Sequence, residues 1–258
     1  MLKNRIITTL LYDETLQCVK PVGFGRPYRR LGPLMQYIRN FDNRQIDELI
    51  LLDITATETN RKPSVKEIEQ FTSLCYMPVC IGGGIRTLDN ISELLNNGAD
   101  KVVIGNYLYK DKSNSYKFIE TAANKFGSQA IVAAINVNGD KGNFWTRDGY
   151  KYIGWINENP APLLSKELEN AGAGEIFLTD VTKDGTLSGY NLDLISSVAH
   201  AVGIPVIANG GCGSPDDMVA AIRAGASAVA AGSLFLFTEN TPKSCARYLK
   251  QQNIPVRV

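Results

Sequence analysis

Pro78-Val-Cys-Ile-Gly-Gly83-Gly84 and Pro205-Val-Ile-Ala-Asn-Gly210-Gly211 are two copies of one pattern: a proline, a short apolar run, then paired glycines. Asn97-Gly98-Ala99-Asp-Lys-Val102 matches Ala224-Gly225-Ala226-Ser-Ala-Val229 in the same way, and Asp53-Ile-Thr55 matches Asp180-Val-Thr182. All three matches share an offset of 127 positions, close to half of the 258 residues. One offset over three separated motifs marks an internal repeat. The chain therefore reads as two homologous halves, about 1–126 and 127–258, fused in one domain without a polar or Gly/Pro-rich linker.

Outward from these motifs, eight apolar, β-branched runs recur: Arg5 to Leu11, Glu48 to Ile54, Pro78 to Ile81, Lys101 to Ile104, Ala130 to Ile135, Glu175 to Leu178, Pro205 to Ala208 and Ala228 to Ala231. Each is continuously apolar, as a parallel strand covered on both faces requires. Amphipathic segments lie between them. Ser64-Val-Lys-Glu67 has capping-box spacing, and Ser214-Pro215-Asp-Asp217 combines an N-cap, a proline at the first helical position and acids in the first turn. Eightfold alternation in a chain of this length predicts an α/β fold, a single (β/α)8 TIM barrel, over an open sheet. No Gly-x-Gly-x-x-Gly follows the first strand, which counts against a dinucleotide site.

Composition removes other classes. Twenty-seven basic against 26 acidic side chains leave a net charge of +1, so nothing draws the chain to nucleic acid or to an anionic membrane. The single histidine, His200, falls in a predicted surface helix and reads as structural, which argues against Ser-His-Asp catalysis and multi-histidine metal sites. No metal or cofactor is expected. The five cysteines (Cys18, Cys75, Cys80, Cys212, Cys245) are scattered, as in a reduced cytoplasmic protein. Met1 to Tyr12 is too short and too soon interrupted for a signal peptide, and no apolar run has the length of a membrane span.

Barrel sites lie at the carboxyl ends of the strands. The Gly83-Gly84 and Gly210-Gly211 turns fall there on opposite sides, and glycine lets backbone amides approach a phosphate. The pair suits a long substrate with a phosphate at each end; the alternative is two tight turns and nothing more. Asp184-Gly185-Thr186 adds a third turn able to present amides. The loop Phe24-Gly25-Arg26-Pro27-Tyr28-Arg29-Arg30 is long and basic on the same face, either closing over an anion or simply solvated. At the opposite end, Arg5, Glu48, Lys101 and Glu175 each stand immediately before an apolar run. Two cations and two anions there either pair into a neutral ring or stay as scattered charges in water.

Pro78 to Ile85, Asn97-Gly-Ala-Asp-Lys101, Phe126-Gly-Ser-Gln129, Gly172-Ala-Gly-Glu175-Ile, Asp184-Gly-Thr186 with Gly189-Tyr190, and Ile254-Pro-Val-Arg-Val258 resemble the cyclase subunit of imidazole glycerol phosphate synthase, the HisF family. The resemblance runs the length of the chain. It implies a barrel that binds a phosphorylated small molecule and receives ammonia from a glutaminase subunit docked on its N-terminal face. In that family a ring of four charged residues gates the ammonia path, and all four positions match, at Arg5, Glu48, Lys101 and Glu175. Gly84, Asp184, Gly185, Gly211, Gly232 and Ser233 match or nearly match its phosphate positions, whereas Gly105 and Asn106 stand where the family has Asn-Thr.

The family's two catalytic aspartates do not carry over: they fall at Leu11 and Asn136. Leucine has no proton to exchange, and asparagine does not titrate near neutral pH. Asp13, two residues beyond Leu11 and so on the same side of an extended strand, Asp180 (where the family usually has serine) and Asp53 are candidate substitutes. The reading that follows is a subunit that conducts ammonia but has lost or altered ring formation, serving a separate amidotransferase that acts on sugars of surface polysaccharides. The alternatives are an authentic cyclase and lyase using Asp13 or Asp180 beside Asn136, and a non-catalytic scaffold that activates a glutaminase.

Overall fold

The computed structural model describes residues 3–25, 27–42, 46–109, 112–138, 143–144 and 160–257. Met1, Arg26 of the basic loop and Val258 of the terminal motif lie outside them. The strands are β1 (Arg5–Tyr12), β2 (Gln17–Lys20), β3 (Arg29–Pro33), β4 (Glu48–Asp53), β5 (Val79–Gly82), β6 (Lys101–Ile104), β7 (Ile131–Asn138), β8 (Asn143–Phe144), β9 (Glu175–Asp180), β10 (Val206–Asn209) and β11 (Ala228–Ala231). The helices are α1 (Leu34–Asp42), α2 (Val65–Thr72), α3 (Leu88–Asn96), α4 (Lys112–Phe126), α5 (Ala161–Asn170), α6 (Leu192–Ala201), α7 (Pro215–Arg223), α8 (Ser233–Phe237) and α9 (Pro242–Gln251).

Eight parallel strands pair in the order β1, β4, β5, β6, β7, β9, β10, β11, and β11 returns to β1 with Arg5 opposite Ala228 and Thr8 opposite Ala231. The sheet is closed, and it is the (β/α)8 barrel that the eight runs predict. All eight expected strands are present, most with ends moved by one or two residues.

Alternation along each strand divides the apolar residues into two cores. Ile7, Ile50, Cys80, Val103, Val132, Ala134, Phe177, Ile207, Ala228 and Ala230 fill the bore. Ile6, Leu10, Leu49, Leu51, Ile81, Val102 and their neighbours pack outward against the helices. Both faces being apolar is why periodicity alone shows no polar side.

The segment after β1 differs from expectation. It is not an irregular loop throughout: β2 pairs antiparallel with β1, and β3 with β2, forming a flap on the barrel rim. Cys18 and Val19 are buried in it, while Gly32 and Pro33 hide β3 from a propensity reading. Its arginines have local partners. Arg30 Nε donates to Asp13 Oδ2 at 2.8 Å, and the Arg29 guanidinium lies over the Phe237 ring, 5.7 Å from its centroid.

Helix starts follow the sequence signals with one exception. Ser214 caps α7 in a reciprocal box with Asp217. Ser64 occupies the N-cap of α2 but makes no side-chain cap bond, because its hydroxyl meets the Glu67 carboxylate instead. His200 is exposed on α6, its Nδ1 2.7 Å from the Ser196 carbonyl.

Candidate functional site

At the amino ends of the strands the four charges close on one another. Arg5 Nη1 donates to Glu48 Oε2 at 2.5 Å and Arg5 Nη2 to Glu175 Oε2 at 2.9 Å. Lys101 Nζ donates to both Glu48 oxygens at 3.1 Å and to Glu175 Oε1 at 2.9 Å. Each cation bridges both carboxylates, which makes a neutral four-membered ring across the bottom of the bore. Glu48 pairs in register with Ile7, and Glu175 with Val132, so both acids open equivalent strands. Burial by itself lowers the Arg5 pKa, but Glu175 and Glu48 outweigh it and hold the guanidinium above its ordinary value. Above the ring the walls are mostly hydrocarbon, with the buried Thr9 hydroxyl and one thiol, Cys80, whose pKa burial pushes well up, so it stays neutral.

At the carboxyl ends the bore opens into a cavity of about 140 Å³. Leu11, Leu52, Val103, Ala134, Asn136, Phe177, Thr179 and Asn209 line its middle. Gly83, Gly84, Arg86 and Asn106 lie on its wall, as do Lys20, Asp184 and Gly232. A smaller hollow beside it is formed by Asp184, Gly185, Gly210, Gly211, Gly232 and Ser233 among others. The structure thus brings the sequence-derived glycine positions into two groups. Ser233 Oγ is buried with no hydrogen-bond partner among the described residues.

The paired glycines have a specific reason. Gly83 has φ +112° and Gly210 φ +90°, and each crosses the end of the preceding strand closely. A Cβ at Gly83 would stand 2.5 Å from the Asp53 carbonyl, and one at Gly210 would stand 2.6 Å from the Asp180 carbonyl. Gly210→Ala therefore meets both a backbone clash and a left-handed conformation, and is expected to lower stability by about 1–3 kcal/mol. Gly105→Ala is the control: its Cβ would meet only Ala134 Cβ, at 3.6 Å, with no positive φ. Urea unfolding of both variants checks the pair; equal midpoints would contradict the turn geometry.

The three candidate carboxylates are each tied to local partners, and Asp13 does not take the place its spacing from Leu11 suggests. β1 ends at Tyr12, so alternation stops before Asp13 and the side chain does not follow Leu11 into the bore. Asp13 Oδ1 accepts from the Thr15 N–H at 3.0 Å and its hydroxyl at 2.6 Å, with Arg30 on Oδ2. Burial alone would raise its pKa, but the bonds from Thr15, Arg30 and Gln17 win and hold it below the usual carboxylate value. Asp53 and Asp180 form one repeated turn. Each Oδ1 accepts from the N–H and hydroxyl of the threonine two residues on, Thr55 or Thr182. Arg61 Nη2 takes Asp53 Oδ2 at 2.7 Å, and Asn191 Nδ2 takes Asp180 Oδ2 at the same distance. Of the three, Asp53 alone lines the cavity. Leu11 and Asn136 both line it, and the Asn136 N–H donates to Tyr109 Oη at 3.1 Å.

Two cavity cations escape a reading of motifs. Lys20 on β2 is buried, with Nζ 3.1 and 3.2 Å from the Asp184 oxygens. A lysine between buried Val19 and Pro21 was its one local signal; its partner is 164 residues away. Arg86 follows the first glycine turn directly, and its guanidinium is steered by Asn60 Oδ1 and the Thr57 carbonyl.

A closed parallel barrel with its cavity at the carboxyl ends of the strands and a charged ring at the other end defines a (β/α)8 barrel of the two-ended kind. The chain belongs to the family described as "Histidine biosynthesis protein", whose profile matches residues 16–241, and is homologous to HisF cyclase subunits of imidazole glycerol phosphate synthase. It is 38% identical over 258 residues, all of both chains, to a Campylobacter jejuni protein provisionally named imidazole glycerol phosphate synthase subunit hisF2. It is 40% identical to subunit HisF of Endomicrobium trichonymphae over 88% of this chain and 85% of that one. Identity to the Thermococcus onnurineus subunit HisF is 36%, over 100% of this chain and 99% of the relative. No helix among the described residues is long and apolar enough to cross a membrane.

Proposed function

We propose that this barrel takes ammonia from a glutaminase subunit seated on its N-terminal face and passes it through the bore, without forming an imidazole ring at the mouth. The observation that carries this reading is the closed ring of Arg5, Glu48, Lys101 and Glu175 beneath an apolar bore, in a chain whose mouth presents Leu11 and Asn136. A ring whose cations and anions hold one another is a plug that opens when one cation swings away. An apolar bore admits neutral ammonia and rejects ammonium, whose desolvation is costly.

At the mouth, the amides of the Gly83-Gly84 and Gly210-Gly211 turns, together with Asn106, Asp184, Gly185, Gly232 and Ser233, seat the two anionic ends of a phosphorylated ligand. Lys20 neutralises Asp184 there, which would otherwise repel an anion. The final acceptor of the nitrogen we assign to a separate amidotransferase acting on sugars for surface polysaccharides. Support for that assignment is a mouth that keeps anion seats while neither Leu11 nor Asn136 can exchange a proton.

The test pairs the chain with the glutaminase subunit of its own organism and follows 15N from the glutamine amide. Lys101→Met is expected to leave glutamine hydrolysis in place and to reduce 15N delivery through the barrel by at least about tenfold. Equal delivery by the variant would favour the scaffold, in which docking alone matters.

A further inference from the structure

The mouth of the barrel has two unlike walls. Register places Leu11 beside Leu52 where β1 meets β4, and Asn136 beside Thr179 where β7 meets β9. Leu52 and Thr179 stand 127 positions apart, as do Gly82 and Asn209. At Gly82 a Cβ would come within 2.8 Å of Leu52 Cδ2 and Val103 Cβ, so that place offers no side chain, whereas Asn209 offers a carboxamide. Equivalent positions thus carry leucine, leucine and glycine on one side, and asparagine, threonine and asparagine on the other.

None of these groups ionises. Asn209 Nδ2 donates to Thr179 Oγ1 at 3.1 Å, which fixes that wall, and the Asn136 carboxamide has no hydrogen-bond partner among the described residues. Thr9 lies below Leu11 on the same face of β1, but its hydroxyl is sealed from solvent, so it adds no accessible polar atom to the leucine wall. A polyhydroxylated chain laid across this mouth would leave hydroxyls unpaired against Leu11 and Leu52, each at a penalty. A plain hydrocarbon would leave the amides unpaired.

We propose that the ligand carries an anionic group at each end and that its uncharged middle section has one hydrocarbon edge, lying on Leu11 and Leu52, and one hydrogen-bonding edge, facing Asn136, Thr179 and Asn209. This rests on the anion seats of the proposed function and not on ammonia transfer. The ligand class is therefore a deoxygenated chain with few hydroxyl or carbonyl groups, all on one side.

Calorimetric titration of the full chain tests it with synthetic bisphosphates. A series of α,ω-alkanediol bisphosphates first fixes the best length. At that length three probes are compared: the alkane chain, the same chain with one central ether oxygen, and an oligo(ethylene glycol) chain. The single-ether probe is expected to bind about fivefold tighter than either other. Asn136→Leu should move the preference to the alkane and Leu11→Asn to the oligoether, each by about tenfold. Asn136→Ala serves if the leucine variant does not fold, as judged by its unfolding midpoint. The oligoether binding the unaltered chain as tightly as the single-ether probe would overturn the proposal, as would an order that neither substitution moves. Failure of all three probes would overturn it together with the anion seats, while 15N delivery from a glutaminase would be untouched.

Discussion

Given the phosphoribulosyl formimino carboxamide ribotide and a high concentration of ammonium salt, the purified protein is expected to consume it at least about 10²–10⁴-fold more slowly than a HisF relative under the same conditions. That range is what one lost acid–base group typically removes, and the mouth lacks a titratable group at both Leu11 and Asn136. The three candidate substitutes do not fill the gap. Asp13 is held by Thr15 and Arg30 outside the cavity, and Asp180 by Thr182 and Asn191. Asp53 reaches the cavity wall, but its two oxygens are taken by Thr55, Ala56 and Arg61.

The converse experiment is Leu11→Asp with Asn136→Asp. Because the two groups act as a pair, each single replacement should recover little and the double replacement disproportionately more. Monitoring loss of the ribotide by absorbance or chromatography decides it. Turnover by the unaltered chain at the relatives' rate would sink the reading and restore an authentic cyclase. An inactive double variant that still binds a bisphosphate would locate the change elsewhere, with Gly105 the next position to examine.

The ring has the largest expected effect on stability. Glu48→Ala leaves Arg5 and Lys101 competing for Glu175 alone, with Glu48 itself almost fully buried at 2% exposure. Removing one partner from a buried ion pair costs about 3–5 kcal/mol, because the remaining charge is stranded. Arg5 and Lys101 keep 22% and 17% of their side-chain surface in water, so the lower end, about 3 kcal/mol, applies. For a domain of this size that is a fall in Tm of about 6–12 °C. Scanning calorimetry checks it, and an unchanged Tm would show that the ring is not closed in solution.

Replacing all four members with methionine or leucine is expected to restore or exceed the original Tm, since well-packed apolar groups match a buried ion cluster. That variant separates stability from conduction. It should fold and fail to pass nitrogen on demand.

Much of this was legible from residues alone, and for a physical reason. Strand runs and helix caps are local properties, determined by apolar continuity and capping chemistry within a window of a few residues, and the repeat at 127 positions is read by matching such windows across the chain. Eight such units leave few closures other than a barrel. The glycine turns were equally plain, since only glycine tolerates the φ of +112° at Gly83 and +90° at Gly210. Local signals misled where a strand stopped. Extending β1 past Tyr12 put Asp13 on the inward face, and only the folded turn shows its oxygens bound elsewhere. The flap of β2 and β3 was missed because it is held by pairing to the rim and not by its own propensity.

By itself the sequence determined the barrel, the two glycine turns and the identities of Leu11 and Asn136, neither of which exchanges a proton near neutral pH. Only the tertiary structure decided what those residues face. It closed Arg5, Glu48, Lys101 and Glu175 into one ring, joined Lys20 to Asp184, and divided the mouth into a leucine wall and an amide wall. The reason is range: ring members lie 43 to 170 residues apart along the chain, and contacts at that separation are set by barrel closure and strand register, which no local window contains.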